Sequence, residues 1–597
     1  MAALPLRFTH GALVEDGQRT RFALWAPDAR SVELELDGAT FSMAPEADGW
    51  FRLQRRCPPG SLYRYRIDAE LSVPDPASRS QPQGVHGPSQ VIAPQRYHWR
   101  NPDWRGRPWS EAVIQELHVG LLGGYAGVMR ELPRLADLGI TAIELMPIGQ
   151  FPGERNWGYD GVLPFAPQNS YGSPDELMAL IDQAHGLGLM VLLDVVYNHF
   201  GPDGNYLHRY AGEFFREDRQ TPWGAAIDFR RSEVRDFFIE SALMWLNDYR
   251  FDGLRLDAVH AIGDPGFLRA LSTAVRQHCA ADRHCWLVLE NEFNQAHLLD
   301  PGVEGQCFDG QWNDDGHNTL HVLLTDEQEG YYADFTEQPT QRLARCLSQG
   351  FVYQGEADRH GQPRGEPSAH LPPSAFVLFL QNHDQTGNRA LGERLPALCS
   401  PQALRAATTL LLLSPMIPLL FMGDEWASEQ PFLFFTDHHE QLADAVREGR
   451  RAEFKGFAAF ADAEQRQRIP DPNAAQTFLA SRPGRNPHSA AWEDFYRHLL
   501  TLRRQHLVPY LDGTVALGCA VIGDKAVSAR WRLGNRSELR IDLNLGAQSV
   551  PWQLPDAHHL LFHSSKTCTE AVQAPGVLPP FSAVVSLNPT SAAEPAP

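Results

Sequence analysis

Short apolar runs that end in acidic or polar residues punctuate the middle of the chain: Leu192–His199, Gly253–His260, Trp286–Glu292, Gln306–Asp315 and Phe376–Gln385. Runs of this length bounded by polar residues read as buried β-strands. The stretches between them have helical spacing. Ser173-Pro174-Asp175-Glu176 supplies a capping serine, a proline at the first helical position and a glutamate at the third; Leu177, Leu180, Ile181 and Ala184 then fall on one face, until Gly186 and Gly188 stop the helix. Repetition of strand and helix from about residue 110 to about 505 predicts a parallel (β/α)8 barrel, a TIM barrel. Pro133 sits inside a helical stretch and predicts a break there, since an interior proline costs about 3 kcal/mol.

The ends of the chain are patterned differently. Val32-Glu33-Leu34-Glu35-Leu36 alternates apolar and acidic positions before an Asp37-Gly38 turn, and Phe22–Pro27 and Tyr63–Asp68 are strand-like as well. Beyond the barrel, short alternating strands return. The expected organisation is an N-terminal β-sandwich over residues 1–105, the barrel with its insertions over 106–508, a C-terminal β-sandwich over 509–590 and a disordered tail over 591–597.

In a parallel barrel the chemistry is built at the carboxyl ends of the strands. Three of these ends carry Asp257, Glu290 and Asp384. In Gly253–Asp257 the period of two sends Leu254 and Leu256 outward, and Arg255 and Asp257 together into the lumen. The adjacent positive charge keeps Asp257 ionised, as a nucleophile requires. Glu290 follows the apolar run Trp286–Leu289, whose dry surroundings raise a carboxyl pKa, as a general acid requires. Two carboxyls flanking a bond, one as nucleophile and one as proton donor, are the minimum equipment for glycoside cleavage with retention.

Composition narrows the function further. The 597 residues exceed what one core usually organises, and the net charge of −21 argues against nucleic acid or an anionic membrane as partner. Eight cysteines without a CxxC suggest neither a zinc site nor a disulfide framework, and the His278-Cys279 and His284-Cys285 pairs, in a predicted helix and the loop after it, are not expected to bind a metal. The amino terminus has no secretory pattern, and the apolar stretch from Ala406 to Met422 is broken by Pro415 and Pro418, so a cytoplasmic enzyme is expected.

Asp194–His199, Gly253–Asp257, Glu290 at a strand end and Asn382-His383-Asp384 resemble, in order and spacing, the signature blocks of the α-amylase superfamily. The resemblance implies Asp257 as nucleophile, Glu290 as acid/base and Asp384 as the carboxylate that holds sugar hydroxyls. It further implies that His199 and His383 contact the cleaved sugar and that Tyr159 stacks under it, with Arg255 and Asn388 counted among the substrate-binding candidates. The N-terminal segment resembles the sandwich that precedes the barrel in glucan branching and debranching enzymes. Gln311–Asp315 together with Gln430–His438 and Arg447–Phe454 resembles the maltooligosyltrehalose trehalohydrolases, which release trehalose by cleaving the α-1,4 bond beside it. Selectivity for that bond needs a pocket for two glucoses joined through both anomeric carbons, and His260, Asp315, His317 and Gln385 are its candidates. Maltooligosyltrehalose and related α-glucans are thus the expected ligands. An α-1,4-glucan branching enzyme and a non-catalytic glucan-binding protein on the same barrel are the alternatives. The implied reaction needs no metal or organic cofactor, and Asp203 and Asn205 match no calcium-loop spacing.

Overall fold

A computed structural model describes residues 8–15, 18–221, 224–300, 302, 308–564 and 576–589. Its centre is a closed barrel of parallel strands: β1 (Ile114–Leu117), β2 (Ala142–Leu145), β3 (Met190–Val195), β4 (Gly253–Leu256), β5 (Trp286–Leu289), β6 (Gly310–Trp312), β7 (Phe376–Phe379) and β8 (Ile417–Phe421), the last pairing back onto the first. The barrel fills from the bottom with apolar side chains, among them Ile114, Ala142, Leu192, Val288, Val377 and Leu419. Two residues further along β1, β2, β3 and β5 the same inward columns carry Glu116, Glu144, Asp194 and Glu290. The period of two therefore takes each strand from an apolar floor to a charged mouth.

Helix α1 (Tyr125–Leu138) runs unbroken through Pro133, against the expectation of a break. The proline leaves the Met129 carbonyl without its helical donor. Gln183, on α2 (Pro174–Gly186), donates its side-chain amide to that carbonyl at 3.0 Å, so tertiary packing replaces the missing bond. At the start of α2 the Ser173 hydroxyl accepts from the Glu176 amide while the Glu176 carboxylate accepts from the Ser173 amide, forming the anticipated capping box. The run Gln306–Asp315 contributes only β6, because Asn313 caps a new helix, α3 (Asp314–Thr325). Gln306 lies outside the described residues.

Two antiparallel sheets precede the barrel. Val32–Leu36 alternates buried and half-buried positions, and its hairpin turns through Asp37 and Gly38, both with positive φ (50° and 80°), as a two-residue primed turn demands. After the barrel, a five-stranded antiparallel sheet from Val515 to Asn588 packs its Ala526 and Val584 against a two-stranded ribbon bearing Val550, Trp552 and Leu578. The tail expected to be disordered falls outside the described residues. Among the described residues no helix is long and apolar enough to cross a membrane.

Candidate active site

Arg255 organises the barrel mouth. Asp194 and Arg255 are register partners on β3 and β4, so their side chains enter the lumen side by side. Nη1 of Arg255 donates to Asp194 Oδ2 at 2.7 Å and to Asp257 Oδ1 at 2.9 Å, and Nη2 donates to Glu290 Oε2 at 2.8 Å. The guanidinium lies 4.1 Å over the Trp312 ring and is buried. Asn198 fixes the far side of Asp257, donating to Oδ2 at 2.8 Å and to its carbonyl at 3.0 Å. Ala258, next in sequence, sits in the left-handed region with φ 39°, a conformation costly for a residue with a Cβ. That turn aims its N–H at Glu290 Oε2, 2.8 Å away. With Oε2 accepting twice, the acid proton belongs on Oε1.

Burial and charge then separate the two carboxyls. Burial pushes Asp257 upward, but Arg255, His199 and the Asn198 hydrogen bond together hold it below the ordinary aspartate range. Burial drives Glu290 well above the ordinary glutamate range; Arg255 opposes this, and Asp257, Asp314 and Asp384 add to it. One group is thereby an anion and its neighbour an acid. Asp384 is also raised by burial, against the pull of His383 and Arg255.

The expected sugar contacts gather around the same cluster. Tyr159 donates to Asp194 at 2.5 Å and its ring stacks on His383 with centroids 5.0 Å apart. His199 bonds through its two ring nitrogens to Asn198 Oδ1 and to the Tyr159 carbonyl. His383 bonds through Nδ1 to Glu116, whose carboxylate holds the imidazole above its ordinary pKa although burial works to lower it. Asn388 donates to Asp384 at 2.5 Å, and Gln385 reaches Asp314 at 3.5 Å. His260 stands at the rim, its ring beside Phe293 and its Nδ1 accepting from the Glu292 amide at 3.3 Å.

Two candidates for the trehalose pocket are not brought to the mouth. Asp315 is wholly buried and accepts from Asn294, from the Val352 and Tyr353 amides and from Arg364, at 2.8 to 2.9 Å. Its oxygens anchor the insertion before β7 (Tyr353–Ser374), and with no exposed surface it presents neither to a sugar hydroxyl. His317 is buried on α3, stacked on Phe379 at 5.3 Å. The residue that does stand within the field of Glu290 and Asp384 is Asp314: burial, then Asp384, lifts its pKa to about 7. Asp315, not Asp314, is the residue named from the sequence; α3 begins at Asp314, and its turn carries the two neighbouring carboxyls to different sides. Arg364, which bridges Asp315 and the Glu292 carbonyl, comes from an insertion whose path no local pattern foretold.

Comparison with known proteins places this geometry. The family "Alpha amylase, catalytic domain" matches residues 78–241. The chain is 39% identical to a malto-oligosyltrehalose trehalohydrolase of Deinococcus radiodurans, over 92% of this chain and 92% of the relative. It is 38% identical to one of Saccharolobus solfataricus, over 83% and 86% respectively. The chain belongs to the malto-oligosyltrehalose trehalohydrolase family. Its likeness to a branching enzyme of Cutibacterium acnes is partial by comparison, 32% identity over 42% of the chain. A crystal structure of a Salmonella typhimurium protein described as an alpha amylase superposes with TM-score 0.90 at 41% identity, over 98% of this chain and all of that one. An Anoxybacillus pullulanase complexed with maltotetraose shares the fold, with TM-score 0.70 at 18% identity. The C-terminal sheet of this trehalohydrolase-family chain matches a domain of unknown function at residues 516–585.

Proposed function

We propose that the protein hydrolyses the α-1,4 bond next to the terminal trehalose of maltooligosyltrehalose and retains the anomeric configuration. Asp257 attacks the anomeric carbon while Glu290 delivers its proton to the bridging oxygen, and the trehalose leaves. Glu290, now a carboxylate, takes a proton from water, which attacks the same carbon and frees Asp257. Tyr159, His199, His383 and Asp384 hold the cleaved glucose. His260, Gln385 and Asp314 stand where a leaving trehalose would pass. No step calls for a metal or an organic cofactor. The described cysteines are free thiols, which suits a cytoplasmic enzyme.

The observation that carries this reading is the opposed protonation of Asp257 and Glu290 around one guanidinium, in a chain that aligns with trehalohydrolases over nine tenths of its length. Incubation with maltooligosyltrehalose and with plain maltooligosaccharides, followed by product identification, tests it. Trehalose from the first and little cleavage of the second is the expected result. Formation of α-1,6 branches without trehalose would instead favour the branching-enzyme reading.

A further inference from the structure

The run Gln430–His438, in the insertion after β8, supplies none of the side chains assigned above to the sugar or to the reacting bond. It packs against the loop from Gly153 to Gly161, which carries Tyr159. We propose that this insertion positions Tyr159 under the sugar and that His438 is the positioning residue, acting through Asp160, an inference that rests on the hydrolase reading above.

The loop is fastened to the insertion at three points. At its start, Gly153 approaches Asp437 so closely that a Cβ would come within 2.5 Å of the Asp437 carbonyl oxygen, and the Asp437 carboxylate accepts from the Glu154 amide at 2.8 Å and from Arg155. In the middle, Trp157 donates its indole N–H to the Leu433 carbonyl at 3.0 Å and stacks on Phe432 with centroids 5.2 Å apart. The same indole fills the space beside Gly387, where a Cβ would meet it at 2.1 Å, and so touches the short helix His383–Gly387 that carries Asp384. At the end of the loop, His438 Nε2 lies 3.2 Å from Asp160 Oδ2, which also accepts from Asn156 at 2.6 Å.

Asp160 is next in sequence to Tyr159, and its surroundings divide the work of holding that tyrosine. The loop after β3 holds the backbone: the Tyr159 carbonyl bonds to His199 at 3.0 Å, the Gly161 carbonyl accepts from the Gly201 amide at 3.0 Å, and a Cβ on Gly201 would sit 2.0 Å from the Asp160 carbonyl. The insertion after β8 holds the side chain. Burial works to raise the Asp160 pKa, but His438 and Asn156 keep it below the ordinary aspartate range, so His438 faces a carboxylate anion. The His438 ring is buried and its Nδ1 has no partner among the described residues, which leaves Asp160 as the group the ring serves. His438 is in turn anchored away from the site, its amide donating to Asn473 at 3.1 Å. Tyr159 has to meet Asp194 with its hydroxyl and His383 with its ring at once, and a displacement of about 1 Å in such a group is enough to slow a reaction.

A double-mutant cycle on kcat/KM for maltooligosyltrehalose, with wild type, His438→Ala, Tyr159→Ala and the double variant, tests the proposal. His438→Ala should lose about tenfold, the size expected for one hydrogen bond to a charged group, and should lose nothing further once Tyr159 is Ala. Additive losses, or no loss from His438→Ala, would overturn the proposal. His438→Gln removes the same ring but can bring an amide N–H to Asp160, so it should recover most of the activity; equal impairment of the Ala and Gln variants would show that the ring only fills space. Asp160→Asn reaches the same contact from the other side and should likewise have no effect in the Tyr159→Ala background, additivity again overturning the proposal. Calorimetric binding of maltotriose to Glu290→Gln, with and without His438→Ala, reads the positioning without turnover: affinity about tenfold weaker supports it, and unchanged affinity refutes it. Wild-type protein that frees no trehalose, with maltotriose affinity still dependent on His438, would place the failure in the hydrolase reading alone.

Discussion

Asp257 and Glu290 bind different nitrogens of the same guanidinium, that of Arg255, yet one is held below its ordinary pKa and the other well above it. The difference lies in what else each carboxyl meets. Asp257 has Asn198 and His199 to stabilise its charge, whereas Glu290 faces the charges of Asp257, Asp314 and Asp384. A single cation is shared, and the surplus of anions decides which group keeps a proton.

This arrangement predicts a bell-shaped profile of kcat/KM against pH. The acid limb marks protonation of Asp257 and lies below the usual aspartate range; the alkaline limb marks loss of the Glu290 proton and lies well above the usual glutamate range. Glu290→Gln should lower kcat by roughly 10² to 10⁴ and abolish the alkaline limb, with substrate binding nearly kept. Product analysis by NMR should show the retained anomer first; an inverted first product would falsify the assignment of Asp257 as nucleophile.

Asp314 links pH to stability. Its folded pKa of about 7 is raised above the unfolded value, so the stabilisation is complete below the unfolded pKa and is lost as pH rises towards and through 7. Asp314→Asn keeps the shape and removes the titration. The variant should gain thermal stability relative to wild type at pH 8 and gain none at pH 4, as read by melting temperature at both values. A difference independent of pH would mean that Asp314 is not the titrating group.

Asp315 and His260, both named from the sequence for the trehalose pocket, should behave differently on substitution. Asp315→Ala leaves Arg364 and two backbone amides without their acceptor, so it should destabilise the fold by about 3 to 5 kcal/mol and depress cleavage of all substrates alike. His260→Ala, at the rim, should leave stability nearly unchanged and reduce maltooligosyltrehalose cleavage more than maltooligosaccharide cleavage. Denaturant titration and paired kinetics on the two substrates separate these outcomes.

The bond between Gln183 and the Met129 carbonyl explains why Pro133 is tolerated in α1. Gln183→Ala should cost about 1 kcal/mol in the wild-type background. With Pro133→Ala the helix regains its own donor, and the same Gln183→Ala change should cost measurably less. Equal costs in the two backgrounds would mean that the side chain does not compensate for the proline.

The sequence by itself determined the elements and the identity of the chemistry. The period of two in Gly253–Asp257 put Arg255 and Asp257 on one face, the capping box at Ser173 began α2, and the strand-end carboxyls announced a glycosidase, because each of these depends on neighbours a few residues away. Resemblance to a known family extended the reading to Tyr159, His199 and His383. Only the tertiary structure decided the rest. Whether Pro133 breaks a helix depends on Gln183, fifty residues along the chain; whether Asp315 or Asp314 lies beside Glu290 and Asp384 depends on where α3 begins and on Arg364 arriving from a distant insertion. Those outcomes rest on contacts between segments remote in sequence, and no local period encodes which remote donor will meet a given carboxyl or carbonyl.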